Sequence, residues 1–178
     1  MVYLEAHTAP RFDGPRASPD LARAAIKGLR AVKEPLYAVV DASRGARVLE
    51  LLYEAVDARR SLYEGTPGDA LARVAPYLVK LDVTSGLLER LISEGWGSRW
   101  GVFFTSARPF REVRQHLRRF LIVEAEESSE KLLFRYYDPS VLRVFVPSVT
   151  GRHRQELFDG VGAFFAEGEQ GELLRFEP

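Results

Sequence analysis

Arg135-Tyr136-Tyr137-Asp138, directly ahead of Pro139, is the group of side chains in this sequence best equipped for chemistry. Joined in a cleft by Asp41 and His116, Arg135 and Asp138 would make a small enzyme site, provided the groups lie within hydrogen-bond reach of one another. The same residues also have a plainer use. An arginine half buried in a fold needs an acidic partner, and Asp138, Asp41 or Glu64 could serve. Asp138-Pro139 is also a helix start, because aspartate caps exposed amides and proline fits the first helical position. On this reading the cluster is structural first.

Other catalytic constellations are missing. The histidines, His7, His116 and His153, lie far apart, and none sits in HxxxH or HExxH spacing. His116 is expected on the polar side of its helix and His153 in a polar loop. There is no GxSxG elbow and no GxGxxG or Walker sequence. Ser61, Ser106 and Ser148 have no nearby histidine, so they read as turn or capping residues. The carboxylate pairs Glu126/Glu127 and Glu167/Glu169 fall on expected hairpin turns, where solvated charge is the ordinary explanation. The chain has no cysteine, which excludes thiol catalysis, disulfides and cysteine–zinc sites. No catalytic residue, cofactor or metal is therefore expected.

Charge and aromatic content bear on partners. Twenty-five basic residues balance twenty-five acidic ones, which argues against a sequence-independent nucleic-acid binder. Locally, Arg108, Arg111, Arg114, Arg118 and Arg119 gather on one predicted helix. That face could meet an anionic surface, or it could be a solvated face partly neutralised by Glu112. Most aromatic residues must be core. Tyr63 beside Gly65 and Trp96 between glycines are candidates for a binding face, since Tyr, Trp and Arg anchor interfaces.

The elements that must position these residues follow from pattern. Residues 1–17 read as a polar arm and 18–178 as one α/β domain, with a mixed sheet and about five or six flanking helices. Ser18-Pro19-Asp20 starts a helix that runs to about Val32. Leu36–Asp41 is an apolar interior strand, followed through Gly45 by a helix over 48–56. Strands are expected at Arg59–Glu64, Tyr77–Leu81 and Trp100–Thr105. Thr66–Asp69 matches a capping box. Further helices are expected after Ser85, over Pro109–Phe120, after Asp138 and over Glu156–Val161. Residues 121–126 and 131–137 form a hairpin, and 163–167 with 172–176 close the fold. Aromatics alternating on both sides of Lys131–Tyr137 predict a strand near the middle of the sheet. No apolar run reaches the roughly 20 residues that span a bilayer, and the N-terminus lacks a secretory pattern. A cytoplasmic protein without membrane insertion is expected.

Six segments taken in order resemble one family: YAVVDASR (37–44), RSLYEGT (60–66), APYLVKLD (75–82), EGWGSRWGVFFTS (94–106), HLRRFLIV (116–123) and FRYYDPSVLRVFVP (134–147). Together, over residues 36–177, they resemble the type VI secretion adaptor chaperones, long catalogued as a domain of unknown function. The resemblance implies a non-enzymatic bacterial protein that binds a cognate effector and loads it onto the VgrG spike or its PAAR tip. Arg60, Tyr63, Glu64, Trp96, Arg135, Tyr137 and Asp138 match the family segments and are expected mostly to hold the fold. Arg111 and Arg118 are added as candidate contact residues on the basic helix. Members often carry a further helical C-terminal lobe that grips cargo, whereas this sequence ends soon after its closing hairpin.

Overall fold

The computed structural model describes residues 17–64, 71–82, 84–124 and 131–178. Of the expected N-terminal arm over 1–17, all but residue 17 lies outside these residues, as does the capping box at Thr66–Asp69. The chain runs α1 (Pro19–Arg30), β1 (Leu36–Asp41), α2 (Ala46–Glu54), β2 (Ala58–Ser61), β3 (Pro76–Leu81) and α3 (Leu87–Gly95). It continues with β4 (Gly101–Thr105), α4 (Phe110–Arg118), β5 (Ile122–Glu124), β6 (Lys131–Leu133), α5 (Pro139–Ser148), α6 (Gly151–Leu157), β7 (Phe164–Glu167) and β8 (Leu173–Phe176).

Six strands form one sheet in the order β2-β3-β1-β4-β7-β8, and β5 with β6 forms a separate ribbon. The fold is α/β, a sheet with helices packed on it. Every ladder among the described strands is antiparallel, so the expected mixture of parallel and antiparallel pairs resolves to antiparallel alone.

β1 is the interior strand, and its alternation explains the layers. Leu36, Ala38 and Val40 point into a core shared with α1, α2 and α3. Tyr37 and Val39 point into a second core with α4, α5 and the Phe158–Val161 turn. Both faces are covered, so all six residues of β1 are buried. α1 begins where the sequence indicates, with Ser18 accepting from the Leu21 amide and Pro19 in the first turn.

The Lys131–Tyr137 strand does not occur. Only Lys131–Leu133 pairs, and it pairs with β5 outside the main sheet. Tyr136 and Tyr137 both enter the α4/α5 core instead of opposite faces of a strand. Burial of aromatics on a turn produces the same alternating apolar signal as a covered strand. The last helix also starts earlier than expected, at Gly151, and ends at Leu157.

Gly101, opposite Val40 in the β1–β4 ladder, is required by close packing. A β-carbon there would collide with the Val39 carbonyl oxygen, a backbone atom that cannot rotate away. Gly101→Ala should therefore cost about 2–3 kcal/mol in urea unfolding. Gly86→Ala, with open space at the added methyl, should stay within about 0.5 kcal/mol.

Candidate functional site

Asp41 ends the interior strand β1 and accepts from the Ser43 amide at 3.0 Å and the Ser43 hydroxyl at 2.6 Å. That turn aims Arg44 inward, with its side chain only 6% exposed. The 134–138 turn brings Arg135 and Asp138 to the same place. Asp138 caps α5 by accepting from the Ser140 amide at 2.9 Å and the hydroxyl at 2.8 Å. The loop before β4 delivers Arg99, whose φ of 58° lies in the left-handed region that non-glycine residues rarely adopt.

These side chains join into one run of alternating charge. Arg135 pairs with Asp41. The Arg44 Nε lies 3.4 Å from the Asp41 Oδ2, held by charge without hydrogen-bond geometry, and its Nη2 donates to Asp138 at 2.5 Å. Arg99 grips Asp138 with two nitrogens, at 2.9 and 2.5 Å, and reaches the Ser140 hydroxyl at 2.6 Å. Glu167 on β7 fixes the Arg99 backbone, accepting from the amides of Gly97 at 2.6 Å and Arg99 at 2.8 Å. Arg143 donates to the Glu167 carbonyl at 2.8 Å. These contacts hold Arg99 in its strained conformation.

The electrostatics match a lock. Burial pushes the Asp138 carboxyl up, but hydrogen bonds from Arg99 and Ser140 and the charge of Arg44 outweigh it and leave the group below its ordinary value. Burial lowers Arg135, while the charge and hydrogen bond of Asp41 outweigh it and raise the guanidinium. Burial holds Glu167 above the ordinary carboxylate value against its two amide donors. Burial also raises Tyr137, whose ring centroid lies 5.8 Å from the Arg135 guanidinium carbon. Carboxylates matched in this way are poor general bases, because their lone pairs are already occupied by donors.

His116 is not in this cluster. It is 3% exposed, not on a polar face. Its Nε2 lies 3.1 Å from the Leu157 carbonyl and its Nδ1 lies 3.0 Å from the Arg119 Nη2. A guanidinium can only donate, so Nδ1 accepts and the ring is neutral, with its proton on Nε2. Burial lowers its proton affinity, and the charge of Arg119 lowers it further against the pull of Leu157. The unfolded chain then takes up this proton first as pH falls through about 6.5, and the native state loses stability from there down to the folded value. Above about 6.5 the ring is neutral in both states and adds no slope. Unfolding free energy should decline as the pH falls below about 6.5, and His116→Phe should flatten that decline. Glu167, with a raised value, acts with the opposite sign nearer pH 4.5.

The other expected site residues divide between core, brace and surface. Trp96 is 5% exposed, and its Nε1 donates to the Gly171 carbonyl at 2.7 Å, so it belongs to the core and not to a binding face. Tyr63 is half buried and packs against both cores. Glu64 receives Arg114 at 2.6 Å and Arg118 at 2.5 Å. Arg114 and Arg118 also donate to the carbonyls of Ser61 and Leu62 at 2.8 and 2.9 Å. Arg108 pairs with Asp159 at 2.5 Å. Much of the basic helix is thus a brace between α4 and the end of β2, neutralised by Glu64 and Asp159. Arg60 and Arg111 are exposed. Glu167, expected to be solvated, is 4% exposed.

Sequence reasoning paired Arg135 with Asp41 among its candidates but missed Arg44, Arg99 and Arg143. Arg44 and Arg99 lie inside quoted segments, at the end of YAVVDASR and within EGWGSRWG, yet no periodicity marks a loop arginine as buried. Among the described residues, no group of three or more His, Cys, Asp or Glu side chains could hold a metal ion, and no helix is long and apolar enough to cross a membrane.

The three segments 37–44, 94–106 and 134–147 supply Asp41 and Arg44, Arg99, and Arg135 and Asp138 respectively, so stretches remote in sequence meet in one buried cluster. A search of curated proteins and a search of solved structures each return no match. One family model, described as a domain of unknown function (DUF4123), matches residues 36–156, well over half of the chain. That span holds both halves of the buried lock, from Asp41 and Arg44 to Arg135 and Asp138, and the chain belongs to the DUF4123 family.

Proposed function

We propose that this protein is a non-enzymatic cytoplasmic adaptor that binds a type VI secretion effector and loads it onto a VgrG/PAAR spike. The resemblance of six ordered segments to the adaptor chaperones supports this, as does membership of a family whose model covers 36–156. The observation that carries the non-enzymatic part is the saturation of Asp138. Arg44, Arg99 and Ser140 all donate to its carboxylate, so the residue best placed for chemistry is committed to holding three segments together. A rigid frame of this kind leaves recognition to surfaces that those segments support.

Co-expression with the effector and spike protein encoded beside its gene tests the reading. The adaptor should retain the effector through affinity purification and gel filtration. Retention of neither effector nor spike protein would overturn it.

A further inference from the structure

β2 is one end of the six-stranded sheet, and no strand lies on its outer side among the described residues. Its ladder with β3 is antiparallel, with Arg60 opposite Leu78 and Ser61 opposite Tyr77. The Leu62 amide donates to the Pro76 carbonyl at 2.9 Å, and inward hydrogen bonds recur at every second residue of such a ladder. The backbone groups of Arg60 therefore point to β3, while those of Arg59 and Ser61 point away from the sheet. The Ser61 carbonyl accepts from the Arg114 Nε at 2.8 Å. That leaves the Arg59 amide, the Arg59 carbonyl and the Ser61 amide open, and Ala58 and Arg60 beside them are exposed. Unpaired donors and acceptors along a strand take extended backbone, because a helix has already satisfied its own.

Charge narrows the occupant further. Arg60 shares a face with Leu62 and Leu78, the face on which α4 packs. Two arginines lay α4 along β2: Arg114 reaches Ser61, and Arg118 donates to the Leu62 carbonyl at 2.9 Å. Arg111 belongs to the same stripe of the helix, one turn before Arg114. Arg114 and Arg118 share one carboxylate, Glu64, at 2.6 and 2.5 Å. Arg60 and Arg111 are exposed and form no ion pair among the described residues. Glu112, beside Arg111, exerts its charge on Arg108. Positive charge is thus left over along this edge, in a chain whose formal net charge is zero. A second copy paired on the same edge would set arginines against arginines, which is unfavourable.

From the open backbone and these two arginines, we infer that the outer edge of β2 docks an extended acidic segment of a partner protein. Its backbone continues the sheet, and its carboxylates meet Arg60 and Arg111. The basic helix then has two roles: Arg114 and Arg118 brace it to β2, while Arg111 joins Arg60 in receiving the partner. This goes beyond the adaptor reading and holds whichever protein supplies the segment.

Fluorescence anisotropy on the full chain, with labelled peptides of about eight residues, tests the inference. The first peptide alternates glutamate with valine, and the second replaces the glutamates by lysines. The third keeps the glutamates but has every backbone amide N-methylated, so that it cannot donate to a ladder. The glutamate peptide should bind at least about tenfold more tightly than either of the others. Its binding should slow deuterium exchange at the Arg59 and Ser61 amides. Arg60→Glu/Arg111→Glu, at exposed positions, should leave the circular dichroism spectrum unchanged and reverse the preference between glutamate and lysine. No binding of the glutamate peptide, equal affinity for the methylated one, exchange unaltered at these amides, or a preference unmoved by the double substitution would overturn the inference. So would oligothymidine of equal charge binding as tightly as the glutamate peptide, because charge without a ladder would then suffice.

Discussion

Asp138→Asn unfolds at much lower urea concentration than the unaltered protein, with a loss of about 3–5 kcal/mol and an unchanged dependence on urea. The substitution keeps the shape of the side chain, and asparagine can still cap α5 by accepting from the Ser140 amide. What disappears is the negative charge between Arg44 and Arg99, of which the first is 6% and the second 29% exposed. Arg44 keeps Asp41 at 3.4 Å, while the two hydrogen bonds from Arg99 to the Asp138 carboxylate lose their charged acceptor. Removing one charge from a largely buried cluster is what makes breaking such a pair costly, even where the intact pair adds little net stability. For a chain of this size the loss corresponds to roughly 10 °C in melting temperature. Asp138→Ala should cost about 1 kcal/mol more, because the cap is lost as well. An Asp138→Asn protein as stable as the original would show that the cluster is not what fixes these segments.

Tyr136→Ala comes next in size, at about 3–5 kcal/mol. Tyr136 is fully buried and lies between Phe120, Phe134 and Tyr137, with ring centroids 6.4, 6.1 and 5.6 Å away. Truncation to alanine opens a cavity in the α4/α5 core, beside rings such as Phe134 that other contacts already hold, with Phe145 4.5 Å from its centroid. Tyr136→Phe keeps the packing and removes only the hydroxyl, which donates to the Leu117 carbonyl at 3.1 Å. That carbonyl also accepts from the Phe120 amide, so it is not left bare, and the loss should be about 1 kcal/mol. The contrast between the two substitutions, read by urea unfolding, separates packing from hydrogen bonding. Equal losses would mean that the hydroxyl, and not the ring, holds the turn.

Much of this fold is legible in the sequence where local rules govern. Ser18-Pro19 and Asp138-Pro139 start helices as capping chemistry requires, and the apolar run Leu36–Asp41 is the strand with both faces covered. The FRYYD stretch misleads because periodicity reports burial and not backbone geometry. Two aromatics packed into one core from a turn look the same as two on opposite faces of a strand. His116 misleads in the other direction: a polar residue type was read as a polar face, although its two ring nitrogens are satisfied inside the fold. Half of the arginine–carboxylate cluster was within reach, since a buried Arg135 demands an acid and Asp41 was among the candidates. Arg44 and Arg99 were not, because their burial arises from three remote segments meeting, a tertiary fact that no local pattern carries.

In the adaptor proposed above, Arg44, Arg99, Arg135 and Asp138 lock the frame, and partner recognition belongs to the surface that the frame supports. Calorimetric titration of the neighbouring effector into Asp138→Asn, at a temperature where circular dichroism shows the variant folded, tests this most directly. The affinity should stay within about threefold of the unaltered protein, less than 1 kcal/mol, despite the large loss of stability. An affinity more than about tenfold weaker in the folded variant would contradict it, because the buried carboxylate would then take part in recognition itself.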